Sequence, residues 1–351
     1  MKRLVKGSVF DFTISDGELY VDNESRNRSG HMSHAMCEYE PGHVLAFNMN
    51  VSPKRNDGHG QYGWVEYRRS LDAGVTFGEI NTFPFSWEAF LDGKFTVAVE
   101  KAVTCPDGSV IAFCLRNSPY HEICSEPFYT PYFVKSKDGA LTWGEAKEFS
   151  PWAGRIYDAV VYDGAIYVLQ FCNDAEIHWT GRLPDHVYRV FRSDDNGETF
   201  EVISTVPVNT LNRGYGSLLF MPDGSLMFYC YNRSDEVNMD YMISRDRGLS
   251  WGEGGRIYLR HGIRNPQTAM WDGMVVLHGR GSCGRGFMLY TSPDGVHFDE
   301  GFVIEPNKEY CYYSNNIVLK APNGENRVLL QYSDSYRGGC VNVRHAWLEK
   351  I

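Results

Sequence analysis

Apolar and polar residues alternate along this chain in short runs, and the runs come in pairs around a turn. VEKAVTCPDGSVIAFCLR, YDAVVYDGAIYVLQF, YGSLLFMPDGSLMFYCYN, RNPQTAMWDGMVVLHGR and YYSNNIVLKAPNGENRVLLQYS each contain a strand, an Asp-Gly or Asn-Gly turn and a second strand. That is the pattern of a β-hairpin, because those turn residues accept the positive φ of a tight connection. SHAMCEYEPGHVLAFNMN is an earlier copy and makes six. After five of them a further strand follows (WVEYRRS, PYFVKS, YRVFRS, DYMISR, FMLYTS) and runs into a motif of the form Ser-x-Asp-x-Gly-x-Thr-aromatic.

The motif recurs at Ser70/Asp72/Gly74/Thr76/Phe77, at Ser136/Asp138/Thr142/Trp143, at Ser193/Asp195/Gly197/Thr199/Phe200, at Ser244/Asp246/Gly248/Ser250/Trp251, and in shortened form at Ser292/Asp294/Gly295/Phe298. Steps of 66, 57, 51 and 48 residues between the aspartates mark a repeated supersecondary unit. The chain thus predicts six four-stranded units in one domain spanning residues 1–351. The last unit ends in CVNVRHAWLEKI without a motif, and the N-terminal strand RLVKGSVFDF is free to complete it. Residues 1–20 are therefore expected to close the unit built by residues 310–351, a ring without exposed sheet edges.

Composition narrows the chemistry. With 43% hydrophobic and 22% charged residues the chain can bury a full core, and 22 Tyr, 20 Phe and 8 Trp suit sheets. A formal charge of −10 repels a phosphate backbone, so no nucleic-acid partner is expected. No apolar run is long enough to span a membrane, and no continuous apolar stretch follows the basic residues at the start, so no membrane partner and a cytoplasmic location are expected. Nine cysteines, an odd number without a CxxC pair and often inside strand-like runs, read as buried reduced thiols.

The five motifs, with hairpin and third strand in the same order each time, resemble the Asp-boxes of sialidases and their relatives. The resemblance covers nearly the whole chain. It implies an all-β fold, a six-bladed β-propeller closed by N- and C-terminal strands in one blade. The boxes themselves are read as structural: Asp and Ser or Thr close a hydrogen-bonded turn, Gly permits positive φ, and the aromatic plugs the blade.

In a propeller the inner strands point one end at a shared central funnel. Arg116, Arg233 and Arg280 close the second strand of hairpins two, four and five, in near-equivalent places. Guanidinium groups there would clamp a carboxylate or sulfate. Arg155 and Asp158 open hairpin three, Glu100 opens hairpin two, and Arg264 with Asn265 opens hairpin five. Each suits either a pocket contact or an ion pair between blades.

Sialidases hold the substrate carboxylate with three arginines, and use a tyrosine nucleophile backed by a glutamate and an aspartate as acid/base. A neutral phenol avoids the repulsion that the substrate carboxylate would exert on an anionic nucleophile, so these enzymes depart from the two-carboxylate scheme. Tyr312-Tyr313-Ser314 resembles the nucleophile segment, and its register selects Tyr313. Arg280 and Arg233 resemble the third and second arginines, and Arg55 and Asp57 resemble the acid/base segment. The glutamate expected at the fourth blade is absent from Asn212-Arg213-Gly214-Tyr215. The first arginine is replaced by Ser33 or His34, and its usual glutamate partner by Gln331. The two losses fit together, since a buried glutamate without its arginine would be an unpaired charge.

The resemblance therefore implies an exo-acting glycoside hydrolase on an acidic sugar, with Tyr313, Asp57 and His34 as catalytic candidates. Two other readings stay open. One is a uronate lyase in which His34 and Tyr313 exchange protons, and the other is a non-catalytic glycan-binding propeller. The partner in each case is an acidic mono- or oligosaccharide. Gly279, Gly281 and Gly284 spell GxGxxG but link two strands and open no helix, which excludes a dinucleotide site. No HExxH, EF-hand or zinc spacing occurs, so neither metal nor cofactor is expected.

Overall fold

The computed structural model describes residues 1–53, 62–118, 129–173, 178–282, 284–306, 312–321 and 323–351. Six antiparallel sheets make the blades of a six-bladed β-propeller, all but one of them four-stranded. Their innermost strands are Met36–Glu40, Thr96–Thr104, Gly154–Tyr162, Arg213–Phe220, Arg264–Trp271 and Ser314–Lys320, in blades one to six. Each packs on the innermost strand of the next blade, and that of blade six packs on that of blade one, closing the ring.

Blade six joins the two ends of the chain. Outside Ser314–Lys320, Asn326–Arg337 and Cys340–Lys350 lie Phe12–Ser15 and then Lys2–Val5. Phe12, Thr13 and Ile14 pair with Lys350, Glu349 and Leu348. The expected single N-terminal strand is thus a hairpin of two. Its turn passes through Gly7, where a Cβ would stand 2.3 Å from the Phe10 carbonyl oxygen.

The repeated Ser-x-Asp turns share one set of hydrogen bonds. In the first, Ser70 Oγ donates to Asp72 Oδ1 (2.7 Å), Gly74 N donates to Ser70 Oγ (2.9 Å), and Thr76 N and Oγ1 donate to the Asp72 carboxylate (2.8 and 2.6 Å). The turns centred on Asp138, Asp195 and Asp246 repeat it. The following aromatic reaches into the preceding blade. Phe77 packs on Tyr20 and His345 of blade six, Trp143 on Phe47 and Tyr67 of blade one, and Phe200 on Phe113 and Phe133 of blade two. These rings fill the spaces between blades, where most of the apolar core lies.

Among the described residues one element departs from the all-strand pattern. Pro84–Asp92 is an α-helix between blades one and two, opened by Pro84 and stopped by Gly93 in the left-handed region (φ 71°).

Candidate active site

The innermost strands of blades two to five each slip register by a bulge. The shifts fall between Val99 and Lys101, Ile156 and Asp158, Gly214 and Gly216, and Arg264 and Gln267. A bulge inserts an unpaired residue and re-aims its side chain. Here it carries Glu100, Tyr157, Tyr215 and Asn265 to the wall of one axial cavity. Tyr215 has φ 43° between two glycines, of which Gly214 cannot carry a side chain. A Cβ on Gly214 would lie 2.2 Å from the Trp179 carbonyl oxygen, and one on Gly216 would lie 2.6 Å from Leu169 Cδ2. That backbone cost is borne at the pocket, and it holds one phenol in place.

The floor is polar. Lys101 Nζ donates to Gln267 Oε1 (2.6 Å) and Asn315 Oδ1 (2.9 Å) and pairs with Asp158 Oδ1 (3.1 Å), joining blades two, five, six and three at the axis. Lys101 and Asn315 line this cavity on one side and a second cavity on the other, so the layer divides the central channel.

Tyr313 is at the wall. Its phenol oxygen lies 2.5 Å from that of Tyr215, and its ring meets His31 edge-on at 4.5 Å between centroids. Burial pushes the Tyr313 hydroxyl well above the usual phenol range and Tyr215 adds to this, while Arg155 and Arg280 oppose it. The phenol is therefore neutral at ordinary pH. Arg155, 2% exposed, pairs with Glu100 and lies against the rings of Tyr157 (5.1 Å) and Tyr215 (5.5 Å).

His34 lines the same cavity. Its Nε2 lies 3.0 Å from the His31 carbonyl oxygen, which only accepts, so Nε2 carries the hydrogen and Nδ1 keeps a lone pair. Burial pushes its pKa down to about 4, with the bond to His31 opposing, and the imidazole is neutral. Burial, then Arg280, His34 and Arg155, push His31 down to about 3.

The structure thus brings Tyr313, His34 and Arg155 to one cavity, with Arg280 beside them. The other candidates among the described residues lie elsewhere. Asp158 lies under the floor, where it accepts from Ser217 Oγ and Leu218 N (both 2.8 Å) as well as holding Lys101. Arg116 donates to Thr130 O (3.0 Å) and Oγ1 (2.9 Å) with its guanidinium 4.0 Å from the Tyr132 ring, a contact within its own blade. Arg233 is exposed and lies over Trp179 at 5.1 Å. Gln331 is wholly buried, its amide donating to Phe47 O (2.5 Å) and its Oε1 lying 2.8 Å from His345 Nε2, so it joins blade six to blade one without surface at the pocket. Arg55 and Asp57 fall outside the described residues. Tyr157, Tyr215, Lys101 and His31 were not among the sequence candidates for the site. The only trace of the Tyr215 bulge in the sequence is the pair of glycines flanking it.

No family model and no curated protein matches this chain. Solved structures do. A protein of unknown function from Dyadobacter fermentans DSM 18053 superposes with a TM-score of 0.74 at 15% identity, covering 96% of this chain and 99% of that one. The Hadza microbial sialidase Hz136 gives 0.68 at 13%, covering 95% and 68%. A Penicillium chrysogenum α-L-arabinanase complexed with arabinobiose gives 0.63 at 14%, covering 95% and 99%. The shared feature is the propeller fold.

Proposed function

We propose that this chain is a carbohydrate-active enzyme, an exo-acting glycoside hydrolase on an acidic sugar, with Tyr313 as the reacting phenol. The observation that carries the reading is the Tyr313 phenol, held 2.5 Å from a second phenol in a cavity that Arg155 and Arg280 influence. Arg280 is the guanidinium suited to the sugar carboxylate. Tyr313, being neutral, approaches the anomeric carbon without repelling that carboxylate, and Tyr215 orients its oxygen. Asp57 is the proposed acid for the leaving group, by resemblance. That the propeller neighbours include a sialidase and an arabinanase supports glycosidic chemistry as the reaction class.

A screen of acidic oligosaccharides with the purified chain tests the reading. Product should form, and Tyr313→Phe should lower turnover by at least about a hundredfold. Equal rates for the two proteins would remove the tyrosine mechanism, and saturable binding without product would mark a glycan-binding module. A second reading, a uronate lyase, is favoured by the lone pair on His34 Nδ1, which can accept a proton from carbon. An unsaturated product absorbing in the far ultraviolet identifies it, since hydrolysis leaves none.

A further inference from the structure

Asn265 lines the pocket at 3% exposure, and both its Oδ1 and its Nδ2 are buried without a protein partner. A carboxamide left open at both ends is costly, and buried polar groups in native folds are nearly always satisfied. The fold commits further to this placement. Asn265 occupies the left-handed region (φ 53°) inside the blade-five bulge. The paired strand admits that bulge only because Gly279 has no side chain, for a Cβ there would stand 2.5 Å from the Arg264 carbonyl oxygen and 2.8 Å from that of Asn265.

Nearby atoms that share the condition include Nδ1 of His31, Nδ1 of His34 and Nε of both Arg264 and Arg280. The other cations around the pocket have carboxylates. Arg155 has Glu100, Lys101 has Asp158, and Arg264 has Glu236 at 3.7 Å. Among the described residues no carboxylate lies within ion-pairing distance of Arg280. The open valences are therefore one positive charge and a group of neutral donors and acceptors.

We propose that Asn265 is the specificity-determining residue of this pocket and reads a vicinal diol on a ring that carries a single carboxylate. The inference rests on the acidic-sugar reading above. A carboxamide offers an acceptor and a donor side by side, and two adjacent hydroxyls return a hydrogen and a lone pair at matching spacing. A hydroxyl also donates to the free Nδ1 of His34. One carboxylate suffices for Arg280.

Isothermal titration calorimetry of the intact chain with methyl glucuronide and its 3-deoxy analogue tests this, because the 3-hydroxyl belongs to both ring diols. The wild type should bind the parent about tenfold more tightly. Asn265→Gly, which suits the positive φ, should lose that preference and about tenfold in affinity, while the melting temperature of the free protein does not fall. A structural role would instead lower the melting temperature and keep the preference. Equal binding of the two probes by the wild type, or a preference retained in Asn265→Gly, sinks the diol assignment alone. A stronger, Asn265-dependent response to the methyl glycoside of N-acetylneuraminic acid replaces the diol by an acetamido group. A wild type that binds no carboxylated sugar overturns the acidic-sugar reading and this inference with it.

Discussion

Tyr312 and Tyr313 are adjacent and chemically identical, yet the backbone gives them opposite surroundings. Tyr312, at φ 73°, is wholly buried, stacks on Phe287 at 5.5 Å between centroids and donates its hydroxyl to the Pro306 carbonyl oxygen. Tyr313 turns to the cavity. Tyr312→Phe therefore removes one buried hydrogen bond and should cost about 1 kcal/mol, seen in chemical denaturation, with activity intact. Tyr313→Phe should keep the fold and lose the activity. A reversal of the two results would place the reacting phenol at Tyr312. The resemblance singled out Tyr313 in the sequence, but the split itself comes from the left-handed backbone at Tyr312, just outside the strand that begins at Ser314. The partner of Tyr313 was not legible, because Tyr215 reaches it through a bulge, and a bulge depends on how two strands meet rather than on either alone.

The Ser-x-Asp turns and the hairpins are the elements most openly written in the chain, since their hydrogen bonds run between residues at fixed short spacings. The closure of blade six was legible only in outline, because the turn at Gly7 splits the N-terminal strand into two. The helix at Pro84–Asp92 left no repeat to find. Hydrogen bonds from Thr142 hold Asp138 down at about 2, and those from Ser250 do the same for Asp246. Hydrogen bonds from Thr199 likewise lower Asp195. Carboxylates depressed below their unfolded value near pH 4 contribute stability above that pH and lose it as pH falls through the folded value. Thermal unfolding followed by circular dichroism should therefore show a melting temperature that drops between about pH 4 and pH 2. Replacing Asp138 and Asp246 by Asn should flatten that slope, and an unchanged slope would assign the acid sensitivity elsewhere.

The whole molecule is a ring fastened by its ends. Lys2–Val5 and Phe12–Ser15 cover the edge of Cys340–Lys350, Arg3 Nη2 donates to Ile304 O of blade five at 2.7 Å, and Phe10 and Phe12 pack edge-on against Trp271. Removing residues 1–15 uncovers the Leu348–Lys350 end of that strand, while Glu18–Val21 still pairs with it at Val343–His345, and an exposed strand edge is an established route to association. The truncated chain should melt lower and elute as aggregates on size exclusion, whereas an unchanged monomer peak would mean that blade six holds without the N-terminal hairpin. The axial layer of Lys101, Asp158, Gln267 and Asn315 acts at the same scale. A channel blocked midway is a cul-de-sac, and a polymer cannot thread it. For the activity proposed, only a chain terminus fits, and the released sugar must back out by the mouth through which it entered. Treated with this protein, an acidic polysaccharide should gain reducing ends steadily while its solution stays viscous, the reverse of what random internal cuts produce.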